Sequence, residues 1–208
     1  MRTTWRWPRD HDESDLIVSE MDEVIPALVA AVQEQHATGD HYRDDAIRQA
    51  MEHQAQLALR PGPVRVDVIV DPPWSDGQIN SVQVVTGDRP FLVDTVASCL
   101  LRHGWRVEDV RHPIIGVKRD RGTIEAVGMP GRGGCASESW IHIDATAPLG
   151  TDIGQAAEQL RDDLCACLDQ VVCATDDWGA MHEAMLRTAE LVSASSGPAD
   201  DRDSSREL

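Results

Sequence analysis

Apolar residues at Met21, Val24, Ile25, Leu28 and Val32 recur at helical spacing and predict a helix from Leu16 to about Gln35, interrupted or kinked at Pro26. A second helix, about Asp44 to Leu59, would turn Ile47, Ala50, Met51 and Leu57 inward and stop at the breaker cluster Arg60-Pro61-Gly62-Pro63. Beyond it the apolar period changes from about 3.6 residues to 2. Val64, Val66, Val68 and Val70 alternate with Arg65, Asp67, Ile69 and Asp71, the pattern of a half-exposed strand. After a turn over PPWSDGQ, Ser81 to Thr86 forms the next strand. A helix over Asp88–His103 follows, with Leu92, Val96, Cys99 and Leu100 on one face, Asp94, Ser98 and Arg102 opposite, and Gly104 closing it.

The stretch WRVEDVRHPIIGVKR reads as one long strand bent or bulged near Pro113, because proline cannot donate to a ladder. TIEAVG is a short strand and MPGRGGCASE a mobile loop. SWIHIDA alternates strictly: Ile141 and Ile143 share one face, Trp140, His142 and Asp144 the other. A helix from about Thr151 to Val172 carries Ile153, Ala157, Leu160, Leu164, Leu168 and Val171, and Asp177 is placed to cap a last helix through Met181, Met185 and Leu191. The predicted class is α+β: an antiparallel sheet of ferredoxin-like plan with helices on one face, plus N- and C-terminal helices. The expected segments are a flexible N-terminus (1–15), a helical segment (16–62), the α+β domain (63–175), a C-terminal helix (176–192) and a disordered tail (193–208), whose composition has too few apolar groups to pack. One sheet face needs a cover, from the terminal helices or another subunit.

A formal net charge of −17 repels phosphate backbones, so nucleic acid is not an expected partner. No run of 18 apolar residues exists to span a membrane, and the N-terminus lacks a signal-peptide core, so the expected location is cytoplasmic. Five cysteines without a C-x-x-C pair fit reduced thiols there. Lys118 is the single lysine, in a predicted strand, and therefore the single candidate amine for lysine chemistry.

Chemistry-bearing patterns are sparse. No G-x-G-x-x-G follows a strand to open a helix, and GMPGRGG reads as a flexible hairpin loop, so no dinucleotide cofactor is expected. The eight histidines form neither H-x-x-x-H nor H-E-x-x-H, and no metal site is expected. His142 and Asp144, with His112 on a neighbouring strand, are either an acid/base or metal constellation or the polar face of a sheet meeting a helix. The pairs Asp44-Asp45 and Asp162-Asp163 diverge on a helix and read as caps and solvated surface. Trp178, Met181 and Met185 form a helical stripe for core or interface packing.

Three blocks, GDRPFLVDTVASCLLRHGW, VRHPIIGVKRD and ESWIHID, together with HQAQLALRPGPVRV and DDWGAMHEAMLRTAEL, resemble the N-terminal region of the large NAD-dependent glutamate dehydrogenases, a bacterial family whose long chains begin with ACT-like domains ahead of the catalytic region. The resemblance covers about Ala46 to Val192. It implies an ACT-like sandwich and a non-catalytic regulatory or oligomerisation module of amino-acid metabolism. The alternative is an interaction partner or remnant of a full-length dehydrogenase. The implied partners are an amino-acid ligand, a second copy of the chain or a glutamate dehydrogenase subunit. The family's catalytic portion lies downstream of this region, so no catalytic residue is assigned. In ACT domains the turn before the first helix often reads D-x-P-G and approaches an amino acid. Gly87, Asp88, Arg89 and Pro90 stand there, with Phe91 in place of the glycine. These residues are a ligand-binding candidate, or else a helix cap in which Asp88 accepts the first free N–H groups and Phe91 fills the ligand space or the core.

Overall fold

A computed structural model describes residues 25–31, 44–75 and 77–195. Helix α1 (residues 25–31) and α2 (Asp44–Ala58) precede strands β1 (Val64–Ile69) and β2 (Asn80–Gly87). Then come α3 (Leu92–Arg102), β3 (Arg106–Arg111), β4 (Ile114–Asp120), β5 (Thr123–Gly128), β6 (Ala136–Thr146), α4 (Ile153–Thr175) and α5 (Trp178–Ser195). The expectations for residues 1–15, 16–24, 32–35 and 196–208 lie outside the described residues, while α5 carries the predicted last helix through Ser195.

All strand pairings are antiparallel. The order across the sheet is β1-β2-β6-β4-β5, and β3 also pairs with β6. The long strand expected over WRVEDVRHPIIGVKR is present in two pieces on one edge of β6. Arg111 pairs with His142 and Ile114 with Ser139, so the register continues unbroken across His112-Pro113. The Trp140 N–H donates to the Pro113 carbonyl at 3.0 Å, which keeps the ladder closed where proline offers no donor. β1, arriving from the N-terminal side, supplies the edge strand beside β2.

The sheet separates two apolar cores. On one face Val66, Val82, Val84, Ile141, Ile143 and Ala145 pack against Leu92, Val96 and Leu100 of α3 and Leu160, Leu164 and Leu168 of α4. On the other, Val85, Ile115, Val117, Val127 and Trp140 pack against Leu28 and Val29 of α1 and Met51, Ala55, Leu57 and Ala58 of α2. The N-terminal helices thus supply the cover the second face requires. β1 is consequently not half-exposed: Arg65 on its polar side is buried beneath α2 as fully as Val66 on its apolar side. Burying some thirty apolar side chains in two layers is the main stabilising contribution.

Helix α3 ends as its sequence directs. His103 is the C-cap, Gly104 adopts φ 75, the Gly104 N–H donates to the Leu101 carbonyl and the Trp105 N–H to that of Leu100, and Trp105 and Leu100 share one core. This is the Schellman arrangement, which glycine admits without a Cβ clash. The start of α3 departs from expectation. The helix begins at Leu92, four residues later than the Asp88 boundary, and no side chain caps it. Phe91, at φ 72, turns the chain into the helix with its ring 59% exposed, neither in the core nor sealing the turn. The segment Met129–Cys135, expected as a mobile loop, is a turn closed by Arg132 N–H to Met129 O and Cys135 N–H to Arg132 O, and β6 begins at Ala136, three residues before the predicted strand.

Candidate functional site

The turn from β2 to α3 lies on the α3/α4 side of the sheet. The Asp88 N–H donates to the Ser137 carbonyl at 2.8 Å, and the Asp88 carboxylate accepts from Ser139 Oγ at 2.6 Å. The carboxylate expected on the α3 N–H groups is therefore turned toward β6 instead, because a buried serine hydroxyl offers a charge-assisted bond. Ser139 Oγ also lies 2.9 Å from His112 Nε2. Since the hydroxyl gives its only hydrogen to Asp88, it accepts from the ring, which places the His112 proton on Nε2. Burial holds His112 below the ordinary histidine value, against the pull of the Asp88 charge.

Arg89 reaches the other way. Its Nη1 donates to Val172 O at 3.3 Å, Thr175 Oγ1 at 3.2 Å and Asp176 Oδ1 at 2.8 Å, while Nε bonds Gly87 O at 3.3 Å. A guanidinium at the carbonyl end of α4 complements the helix dipole and ties the turn to that helix. Pro90 is exposed beside Asp88. The four candidate residues thus form one short turn, exposed at Asp88 and Pro90 and half-buried at Gly87 and Arg89, with Asp88 anchored to β6 and Arg89 to α4.

His142 and Asp144 occupy the opposite face, under α2, and His112 is not brought to them: its partner Ser139 has the other strand parity. His142 Nε2 lies 3.0 Å from Asp144 Oδ1 and His142 Nδ1 lies 3.1 Å from Gln83 Nε2. Gln83 Nε2 also donates to Ala50 O on α2 at 2.9 Å, and Gln83 Oε1 sits 2.8 Å from His53 Nδ1. With the Gln83 amide donating on both sides, His142 Nδ1 must accept, so the ring is neutral with its hydrogen given to Asp144. Desolvation, opposed by the Asp144 hydrogen bond, keeps the His142 proton affinity below the ordinary value. Asp144 further accepts from Arg111 Nη2 and from Ser81 Oγ, and Ser81 in turn accepts from Trp74 Nε1 at 3.1 Å.

Neither cluster activates a nucleophile. Ser139 and Ser81 each donate to a carboxylate but are fully buried, so neither hydroxyl is open to a substrate. Among the described residues no three His, Cys, Asp or Glu side chains group to hold a metal ion. Lys118 is engaged across the β4–β5 hairpin with Glu125 at 3.0 Å. The network therefore pins α2 to the sheet, the polar-face reading of His142 and Asp144. Ser81, Gln83, His53 and Ser139 were not singled out from sequence. Two-residue alternation already puts Ser81 and Gln83 opposite Val82 and Val84, a signal that could have matched them to the polar face of β6.

An antiparallel sheet with paired helices on one face and a strand-to-helix turn held by its neighbours defines an ACT-like α+β module. The family model for the glutamate dehydrogenase ACT1 domain matches residues 27–164, and the chain belongs to that family. The match is to the ACT1 domain and includes no catalytic domain. No curated protein matches the chain. No helix among the described residues is long and apolar enough to cross a membrane.

Proposed function

We propose that this ACT1 module is a non-catalytic regulatory unit of glutamate dehydrogenase that receives an α-amino acid at Gly87, Asp88, Arg89 and Pro90. The observation that supports the reading is the uncapped start of α3 beside an exposed carboxylate. The first N–H groups of an α-helix lack intrahelical acceptors and carry the positive end of its dipole, so they attract a carboxylate. Asp88 next to them would receive an ammonium group. The two charges of a free amino acid are matched by one turn, and Arg89 contributes by fixing that turn to α4. Five free thiols suit the reducing cytoplasm as the place of action. The test is calorimetry and thermal shift with the common amino acids at millimolar concentration. One or more should raise the melting temperature, since a ligand binding only the folded state stabilises it, and Asp88→Asn should abolish the rise. No heat and no shift across the whole set would reject the ligand.

A second reading, self-association, is favoured by α5. Met181, Met185, Leu186, Leu191 and Val192 are all exposed on it. Trp178, Met181, Met185, Thr188 and Val192 follow alternating steps of three and four, the seam spacing of paired helices. The partner would be a second copy of the chain. Light scattering on the full chain should report a dimer that Met185→Glu converts to monomer, and a monomeric parent protein would remove this reading.

A further inference from the structure

Cys99 of α3 and Cys167 of α4 meet across the packed helix pair. Arg102, one turn after Cys99, donates from Nη2 to both sulfurs, 3.5 Å to Cys99 Sγ and 3.4 Å to Cys167 Sγ, so the two thiols converge on one nitrogen. Both are free. Cys99 is buried in the α3/α4 core, while Cys167 is partly exposed at its margin. Asp163 lies 3.7 Å from Arg102 and 2.7 Å from His103, so the guanidinium is held in place from its outer side.

A pair of thiols on two packed helices, one inner and one reachable, both bonded to one guanidinium nitrogen, is the constellation of a redox couple. A thiolate is the reactive form of cysteine, and the partly exposed Cys167 is the thiol that an oxidant reaches first. Burial pushes the Cys99 thiol up to about 11, so it is the later thiol to react. Cys165, two residues from Cys167 on the same helix, points to a different flank and cannot substitute for it.

We propose that Cys99 and Cys167 are a redox modification site, forming a reversible disulfide that staples α3 to α4 when the chain meets a hydroperoxide. The Cys167 thiolate attacks the terminal peroxide oxygen. A sulfur–oxygen bond forms, the oxygen–oxygen bond breaks, and the remaining alkoxide or hydroxide leaves and takes a proton from solvent. Cys167 is then a sulfenic acid. Cys99 attacks its sulfur, the sulfur–oxygen bond breaks, and the departing hydroxide takes the Cys99 proton and leaves as water. Two thiols have lost two electrons and two protons, and the hydroperoxide has been reduced to an alcohol and water, or to two waters when it is hydrogen peroxide. An external dithiol reverses the step. This site stands apart from the turn Gly87–Pro90 and does not depend on an amino-acid ligand there.

The experiment treats the full chain with a small excess of hydrogen peroxide, alkylates the remaining thiols and maps the proteolytic peptides by mass. The expected product is a Cys99–Cys167 crosslinked peptide pair, two hydrogens lighter than its parts and cleaved by dithiothreitol. Closing so long a loop should raise the melting temperature by about 10 °C over the reduced chain. Cys99→Ser should stop the reaction at a Cys167 sulfenic acid that dimedone traps, whereas Cys173→Ser should crosslink like the parent. The proposal is overturned if Cys99 and Cys167 both remain alkylatable after the exposed Cys173 has been oxidised, or if the crosslink joins any other pair. Because the peptide map is made on the unsubstituted chain, a variant that fails to fold does not blur the answer.

Discussion

Arg119 grips Glu138 with two arms of its guanidinium, Nε to Oε1 at 2.6 Å and Nη2 to Oε2 at 3.0 Å, in a site where each side chain is at least 85% buried. The same guanidinium donates to Ala58 O at the end of α2 and to Gly122 O in the β4–β5 turn, so one side chain joins three elements. Removing it strands a buried carboxylate and two carbonyls. Arg119→Leu should lower the unfolding free energy by about 3 kcal/mol, the range for breaking a buried pair from one side. Arg119→Met with Glu138→Leu should recover most of that, since two apolar groups leave no charge unpaired. Urea titrations of the three proteins decide it; a single-variant loss under about 1 kcal/mol would mean the pair is solvated after all.

The neutral His142 predicts a pH dependence with a definite sign. Its folded-state proton affinity is depressed below 6.5, by burial first and by Arg111 as well, against the opposing Asp144 and Asp109 charges. A proton added at Nδ1 would also face the Gln83 amide hydrogens, donor against donor. Above pH 6.5 both folded and unfolded rings are neutral and the network contributes in full. As the pH falls below 6.5 the unfolded chain takes up a proton that the folded chain refuses, and stability declines until the folded ring titrates. His112 shifts in the same direction and adds to the loss. Stability measured in urea should therefore fall between about pH 7.5 and about pH 5.5, with a shallower fall in His142→Gln. Equal slopes for parent and variant would show that His142 takes up its proton as readily folded as unfolded.

Gly116 is predicted to tolerate no side chain. A Cβ there would stand 2.4 Å from Gly128 O and 2.4 Å from the Met129 carbonyl carbon, both backbone atoms of the paired strand end. Neither can rotate aside, so the β4–β5 hairpin must separate. Gly116→Ala should lose about 3 kcal/mol, the order of an overpacked interior site. Gly122→Ala, where a Cβ meets open space, should lose less, through its positive φ alone. Melting curves of the two variants give the comparison, and a Gly116→Ala protein as stable as Gly122→Ala would contradict the close approach.

How much of this was readable from the chain can be judged at β6 and at α3. The alternation of Ser139 to Ala145 located the strand, assigned both faces and placed Ile141 and Ile143 in one core, because a period of two is a local property. The stop at Gly104 was equally local, set by a missing Cβ, whereas the irregularity expected near Pro113 lies between Val107 and Asp109 and the register runs unbroken past the proline. The start of α3 was misread for the opposite reason. Asp88 and Pro90 carry the right residue types for a cap, but the Asp88 carboxylate is claimed by Ser139, fifty-one positions away, and Arg89 by the end of α4. Periodicity likewise showed that β1 and β6 have polar faces without showing that α2 closes over them. Composition reports which groups need partners; only the packing of distant elements chooses among them.

Phe91 carries the last prediction. It holds φ 72, a left-handed conformation in which a Cβ crowds the following carbonyl, and its exposed ring has little core contact to offset the strain. Glycine at this position should relieve about 1 kcal/mol of strain and raise the melting temperature by about 2–4 °C, even after allowing for the greater freedom it gives the unfolded chain. Phe91→Ala supplies the control, for it removes the ring yet keeps the Cβ and hence the strain. Glycine should exceed both phenylalanine and alanine, which should differ little from each other. If alanine stabilises as much as glycine, the relief comes from losing an exposed ring and the backbone is relaxed. If glycine raises stability while weakening an amino-acid response at Asp88, the strain is retained for the turn that the ring overhangs.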